Sequence, residues 1–545
     1  MLEGEKGERR VSDKGFLQEQ VPAWLIWLLA TMASALAGNL LQSHVHLNHD
    51  VSWIAHSARW LLQGQTFGTG VLDPNPPMAW FLSMPASALA ELGLMQEPSA
   101  VRLVFWGYFL LSAALLFRVL SDADPREHLA STGWKLAFVV VATLAPGFSF
   151  GQREYVSVLF AMPYLASAAV TLSGRGTAGL GTSSRVAVGV LAGVGFAIKP
   201  YFLAVPLLVE GLLFARLGWR TLFRTESVVL GATVLAYLAA VVVFAPQYLQ
   251  FTMPLMRSVY WAFETAGPAN LIKRFSIVAQ PALYGALIAL LSRCWTSQHT
   301  VILLGGLGYA FSYFIQAKGF VYHAYPVLVC AFVFLGVSLG SGLGHVWSAR
   351  HSSPRWVPYA LIPAMILLAL PPLKQAHDAV VSWYAEYNVA WGRTGVYREV
   401  IISVVDRFAP SPKSYFFAFS THPFPGFPTA SYTEADFSGR SAAQGIVAAY
   451  ARRDEVTDPA LKANIVRAAH LQRRMVVEDL ELRPPTIVFA ERSRSRLGTN
   501  GRPFDDLAFY LEDPQFSRIW SAYEEYPPIG PLRVFVRRGE SAQPH

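Results

Sequence analysis

The chain has 545 residues, of which 53% are apolar and only 15% are Asp, Glu, Lys or Arg, a balance that excludes an ordinary cytosolic globular protein and a disordered chain. Two cysteines, Cys294 and Cys330, are too few for a disulfide-stapled secreted module and read as separate reduced thiols. The net charge of +8 is spread over many short segments and the C-terminal part instead of forming one stripe, which gives no support to nucleic acid as a partner.

A charged start with Lys6, Arg9, Arg10 and Lys14 precedes the first long apolar run, 21–42. That run ends in Asn-Leu-Leu-Gln-Ser-His without a small-residue cleavage site, so it reads as a retained anchor behind a cytoplasmic segment, 1–20. Residues 43–98 begin too polar to span and are predicted as an outer loop. Within it, SHVHLNHD (43–50) carries His44, His46, His49 and Asp50. Burial near a membrane boundary would raise the Asp50 pKa toward the range of a proton acceptor, and an N-cap of the following helix is an equal reading of the same residue. Imidazole and carboxylate suit a divalent metal such as Zn²⁺, but the spacing is loose; loop hydrogen bonding is the favoured reading, and no cofactor is expected. Val51, Ile54, Ala55, Ala58, Leu61 and Leu62 share one face at helical spacing, which predicts an amphipathic helix over 51–63 lying in the interface plane. Asp73, opening DPNPPMAW (73–80), reads as a turn former.

Further apolar runs follow at 99–120, 135–150, 155–172, 186–198, 201–215, 227–245, 276–292, 300–316, 322–340 and 356–372, which makes about eleven membrane helices in all. Arg126, Lys135, Arg175, Arg185, Arg216, Arg220, Arg224, Arg293, Arg350 and Arg355 all fall on the side of the N-terminus, and this places that terminus in the cytoplasm. Arg153 and Glu154 in GQREY (151–155), Lys199 in IKPYF (198–202), and Lys318 and His323 in QAKGFVYHAYP (316–326) break the pattern. These cations sit on the outer side, close to the hydrocarbon, where each needs water or an anion. Singly, each reads equally well as snorkelling to lipid headgroups. Three from three separate turns point to one convergent site for a lipid-linked phosphate, since Arg forks and Lys point charges match phosphate oxygens. His323 joins them or is simply hydrogen-bonded.

Charge density changes near 373. Up to Pro372 the chain carries 23 Lys/Arg and 16 Asp/Glu, and after it 21 and 20 in less than half the length. Residues 21–372 are therefore the transmembrane domain, and 373–545 a water-facing domain that an odd helix count places outside, in a periplasm. Apolar β-rich runs at 414–419, 486–490 and 532–536 alternate with helical patterns at 395–408, 440–452 and 459–478, predicting a small α/β domain. It reads as a lid or acceptor-docking unit without chemistry of its own.

Taken in order, a first span ending in an acid, an outer loop with a helix, NPPMAW (75–80), an Arg-Glu after the third span and K-G-x-x-Y-H-x-x-P at 318–326 resemble the GT-C superfamily of polytopic glycosyltransferases. The likeness is to the bacterial branch related to protein O-mannosyltransferases and lipid A aminoarabinose transferases. It implies a mostly α, polytopic GT-C-like bundle in a bacterial inner membrane. It also implies transfer of a hexosyl or pentosyl group from a polyprenyl-phosphate donor to a hydroxyl of a lipid, polysaccharide or cell-envelope glycan. Asp50 would be the catalytic base, and Arg153, Lys199, Lys318 and His323 the donor-phosphate contacts. His49, Asn75, Trp80, Glu154 and Tyr322, their neighbours in these motifs, would touch substrate. Two departures stand out: Asn75 occupies a place where relatives often have Lys, and Val51 follows Asp50 where protein O-mannosyltransferases have a second acid. The alternative class is a transporter or flippase of a lipid-linked saccharide. It calls for mid-span charges and repeat symmetry, and neither is evident.

Overall fold

A computed structural model describes residues 22–121, 127–174, 179–263, 266–349, 356–493 and 496–539. The segment 1–20, with its four cations, and Arg126, Arg175, Arg350 and Arg355 lie outside the described residues.

The fold is mostly helical. Among the described residues, eleven helices of differing length coincide with the eleven apolar runs: α1 (Ala23–Ser43), then, after α2 (His49–Leu62) and α3 (Met78–Glu91), α4 (Glu97–Leu120), α5 (His128–Leu144), α6 (Arg153–Leu172), α7 (Thr182–Ala197), α8 (Ala204–Leu217) and α9 (Thr225–Phe244). A short α10 (Met253–Val259) precedes α11 (Pro268–Leu291), α12 (Ser297–Gln316), α13 (Tyr325–Ala349) and α14 (Trp356–Tyr387). Among the described residues, eight helices are long and apolar enough to cross a membrane, and α5 and α7 are apolar but shorter. The chain is an integral membrane protein. Helix α6 is buried along almost its whole length, so the bundle is built around it. Helices α5 and α13 approach so closely that a Cβ on Gly133 would overlap the Gly336 carbonyl, the small-residue packing by which membrane helices associate without a hydrophobic drive. Cys294 and Cys330 are both free thiols.

Helix α14 runs through position 373 without a break, carrying Pro363, Pro371 and Pro372, and ends at Tyr387. Beyond it come α15 (Arg393–Phe408), β1 (Tyr415–Phe419), β2 (Asp436–Phe437), α16 (Gly445–Ala451), α17 (Pro459–Leu482), β3 (Ile487–Glu491), α18 (Asp506–Leu511), α19 (Pro514–Trp520), β4 (Tyr523–Ile529) and β5 (Leu532–Arg537). The sheet order is β2-β1-β3-β5-β4, parallel on the β1 side and antiparallel around β5. The three predicted β-rich runs are its three central strands. Their side chains are almost all buried, as strands covered on both faces require.

One expectation fails. Helix α2 does not lie half-exposed in an interface plane: Val51, Ser52, Trp53, Ile54, Ala55, His56, Ser57, Ala58 and Trp60 are all buried. Its apolar face packs on α3 and α4, while the C-terminal domain covers its polar face. Ser52 Oγ lies 2.5 Å from Ser431 Oγ, and His56 Nε2 lies 2.6 Å from Asp436 Oδ1. His56 Nδ1 also lies 3.4 Å from Glu97 on α4, so one imidazole ties the two parts of the chain together.

Burial alone would push the His56 pKa down, but Asp436 and then Glu97 outweigh it, and the pKa lies above the ordinary 6.5. A pKa raised by folding gives stability that is complete below the unfolded value and is lost as pH rises through the folded one. The melting temperature of the purified protein should therefore begin to fall as the pH rises above about 6.5. His56→Gln should lower it at acid pH and flatten the slope. An unchanged slope in that variant would assign it to another group.

Candidate functional site

At one end of the bundle, where α1, α7, α9 and α12 finish and α6, α8, α11 and α13 begin, the C-terminal domain closes over a cavity of about 420 Å³. His49, Asp50, Asp73, Asn75, Arg153, Lys199, Tyr260, Arg274, Tyr322, His323 and His422 are among the residues that line it.

Asp50 sits in the first turn of α2. Asn48 caps that helix, its side chain accepting the Asp50 N–H at 2.8 Å, so the N-cap reading of Asp50 is corrected and its carboxylate is free for other work. Asp50 Oδ2 accepts from Gln152 Nε2 and Arg153 Nη2, each at 3.2 Å, at the start of α6, and His49 Nε2 lies 3.6 Å from Oδ1. Burial pushes the Asp50 carboxyl up, but His49, Arg153 and the Gln152 hydrogen bond outweigh it and hold its pKa below 3.8. The expected rise is thus a fall, because the cations that were read separately from the acid are its direct partners. Burial lowers the His49 pKa to about 4, so at neutral pH the pull on Asp50 comes from Arg153 and Gln152.

A second ionic layer lies behind the first. Lys199, in the turn before α8, donates to Glu154 Oε1 at 2.6 Å and to Gln316 Oε1 at 2.9 Å, with His323 Nε2 at 3.5 Å. Glu154 is wholly buried and stands behind Lys199, away from the cavity wall. Arg153 is 6% exposed, and among the described residues its Nε and Nη1 have no hydrogen-bond partner. Those donors are the spare capacity of the site.

Asp73 forms the turn expected of it, accepting Asn75 N and Nδ2 at 2.8 and 2.7 Å, and it also accepts Trp53 Nε1 at 2.8 Å. It nevertheless faces the cavity, and burial raises its pKa against the pull of Asn75 and Arg153. The cavity therefore has two carboxylates tuned in opposite directions. Lys318 stands behind the wall, its ammonium 4.6 Å over the Tyr260 ring and donating to the Phe263 and Tyr260 carbonyls at 2.9 and 3.4 Å.

Of the residues singled out in the sequence, His49, Asp50, Asn75, Arg153, Lys199, Tyr322 and His323 come together on this wall, with Glu154 and Lys318 one layer back. Trp80 does not join them: it is fully buried in the bundle, donating to Ser57 Oγ at 2.8 Å, because Pro76 and Pro77 start α3 and turn the ring inward. The histidines of 44–49 disperse, His44 to the Leu40 carbonyl at 2.7 Å and His46 to Glu399 at 2.7 Å. Among the described residues no group of three or more His, Cys, Asp or Glu is placed to hold a metal ion.

Sequence reasoning missed Arg274, one turn into α11, whose Nη1 donates to the Gly319 carbonyl, and His422, whose ring centroid is 4.4 Å from that of His49. Arg274 lies in LIKRFS, where a basic residue near a helix start carries no distinguishing mark. His422 lies in a Pro-rich loop without periodicity. The C-terminal domain, read as a lid or acceptor-docking unit without chemistry of its own, supplies Thr421, His422, Ser441, Ile446 and Gln472 to the wall.

No known family model matches the chain, and no curated protein sequence matches it. Its structure is similar to that of ArnT from Cupriavidus metallidurans bound to undecaprenyl phosphate, with a TM-score of 0.59 at 14% identity over 96% of this chain and 100% of that one. The apo state of the same protein gives 0.55 at 14% identity with the same coverage. The arabinofuranosyltransferase AftD from Mycobacteria gives 0.46 at 11% identity, over 96% of this chain and 40% of that one. The chain thus has the fold of ArnT, membrane helices covered at one end by a C-terminal domain with a mixed sheet.

Proposed function

We propose that this protein is a glycosyltransferase that moves a hexosyl or pentosyl group from a polyprenyl-phosphate donor to a hydroxyl of a lipid, polysaccharide or envelope glycan. It acts at the outer face of a bacterial inner membrane, with the N-terminus cytoplasmic. The observation that carries the reading is a carboxylate and a guanidinium, Asp50 and Arg153, 3.2 Å apart on the wall of a cavity at the end of a helical bundle. The ArnT structure, whose fold this chain shares, holds undecaprenyl phosphate, which supports a polyprenyl-linked partner.

The acceptor oxygen attacks the anomeric carbon while the bond to the phosphate oxygen breaks, through an oxocarbenium-like state. The acceptor proton passes to Asp50, and the bonding pair leaves with the polyprenyl phosphate. The unused donors of Arg153, together with Arg274 and Lys199, receive the phosphate oxygens. A leaving phosphate needs cations and no acid, so one base and a cationic cradle are sufficient.

Arg153→Gln should weaken binding of undecaprenyl phosphate about 10- to 100-fold, and Arg153→Lys should recover part of it, since a point charge replaces a fork. The reading as a whole is tested by incubating the purified protein with radiolabelled polyprenyl-phosphate sugars and a membrane extract. Label moving to a new lipid or glycan supports it. Label staying on polyprenol while the protein carries that lipid across liposome bilayers replaces it with a transporter.

A further inference from the structure

A second cavity, of about 400 Å³, opens beside the first. Thr394, Tyr397, Arg398, His422, Phe424, Glu491, Arg496 and Leu497 line it, and His422 and Leu497 line both. The shared wall leads directly back to the reaction site, because His422 packs on His49, the neighbour of Asp50.

The unusual group here is Arg398. It is 5% exposed, yet among the described residues it has no ion pair and no hydrogen bond, and its Nη1 is buried without a partner. The rings of Tyr387, 5.3 Å from the guanidinium, and Phe424, at 5.9 Å, lie against it. Glu491, which lines the same cavity, accepts from Ser420, while Glu399 meets His46 and Asp506 meets Arg496; among the described residues none is within ion-pair distance of Arg398. Guanidinium stays charged at any physiological pH, and a charge removed from water without a counter-ion is strongly disfavoured. Two aromatic faces compensate only in part. His422, whose pKa burial lowers to about 3, is neutral and supplies no charge to the shared wall.

We infer that Arg398 is a specificity-determining residue that binds an anionic group, a phosphate or carboxylate, on the acceptor and so directs the acceptor hydroxyl past His422 toward Asp50. This rests on the glycosyl-transfer reading above. The ring walls of Tyr387 and Phe424 hold the guanidinium plane fixed, which suits a planar fork gripping two oxygens. Arg496, 7% exposed and lining the same cavity, pairs with Asp506 at 2.7 Å, whereas among the described residues Arg398 has no acid within ion-pair distance.

The test uses the full-length protein in detergent and an acceptor extract separated by anion exchange into neutral and acidic fractions. Transfer of labelled sugar into the acidic fraction alone is expected. Arg398→Gln should raise the acidic acceptor concentration for half-maximal rate about 10-fold or more, with kcat within about twofold and undecaprenyl phosphate binding unchanged. Arg398→Lys, the second variant, should recover part of the loss. Separately, inorganic phosphate is titrated against the melting temperature of wild type and Arg398→Gln. Stabilisation of the wild type alone, with neutral and acidic acceptors used equally, would assign the anion to a free phosphate and overturn the acceptor role. Equal use of both fractions with no phosphate effect that depends on Arg398 would overturn the site. Absence of any transfer would overturn the glycosyl-transfer reading and the acceptor role with it, and the phosphate titration would still decide whether Arg398 holds an anion.

Discussion

Asp50→Asn is expected to abolish sugar transfer, by at least about a thousand-fold, in a protein that remains monodisperse and still binds undecaprenyl phosphate. Asparagine keeps the size and can still accept from Gln152 and Arg153, so geometry is largely preserved and only the capacity to take a proton is removed. The pH profile should agree. The partners of Asp50 hold it ionised below the ordinary carboxylate range, so the rate should stay level from about pH 8 down to about pH 5 and fall only under that. A group in the histidine range would instead cut the rate near pH 6.5. The rival base is Asp73, which faces the same cavity with a pKa raised by burial. Should Asp73→Asn abolish transfer while Asp50→Asn lowers it less than about tenfold, the base is Asp73 and Asp50 serves to hold Arg153.

The second large effect is on stability. Glu154 is wholly buried, and it meets the ammonium of Lys199, 5% exposed, at 2.6 Å. Removing one member of such a pair leaves the other charged and without water, which costs about 3–5 kcal/mol. Glu154→Ala should therefore lower the melting temperature in detergent well beyond any single change on the cavity surface. The double variant Glu154→Gln with Lys199→Met should regain most of that stability, because it removes both charges together, yet should remain poor at binding donor. If Glu154→Ala melts with wild type, the pair is not ionised, and the cradle is one cation weaker.

The membrane helices were legible because each is a long apolar run broken by charge, Pro or Gly. The elements that escaped notice have physical reasons for doing so. Helix α3 follows Pro-Pro and contains Pro85, α10 has seven residues, and β4 reads Tyr-Glu-Glu-Tyr-Pro-Pro-Ile, the polar, Pro-bearing pattern of an edge strand. Asp50, Arg153 and Lys199 could be singled out as charges at helix ends. Their pairing could not, since Lys199 and Glu154 are 45 positions apart and Arg153 and Asp50 are 103. Separate cations awaiting a phosphate were thus read where the fold has Arg153 and Lys199 already held by acids and Lys318 by backbone carbonyls, with unused donors left on Arg153. Helix α2 was misread for a related cause. Its polar face, Ser52 and His56, looked solvated because the residues that cover it, Ser431 and Asp436, come some 380 positions later.

That separation sets an order of events during synthesis. Helix α2 and its acid leave the ribosome long before the loop at 421–446 that completes the wall around them. At about 5–20 residues per second the interval is roughly 20–80 seconds. Throughout it, α2 has one face without its cover and His56 lacks Asp436. A nascent chain is consequently unable to complete this cavity before its last domain has been made, and a chain terminated before position 421 has a membrane bundle without the cavity's outer wall.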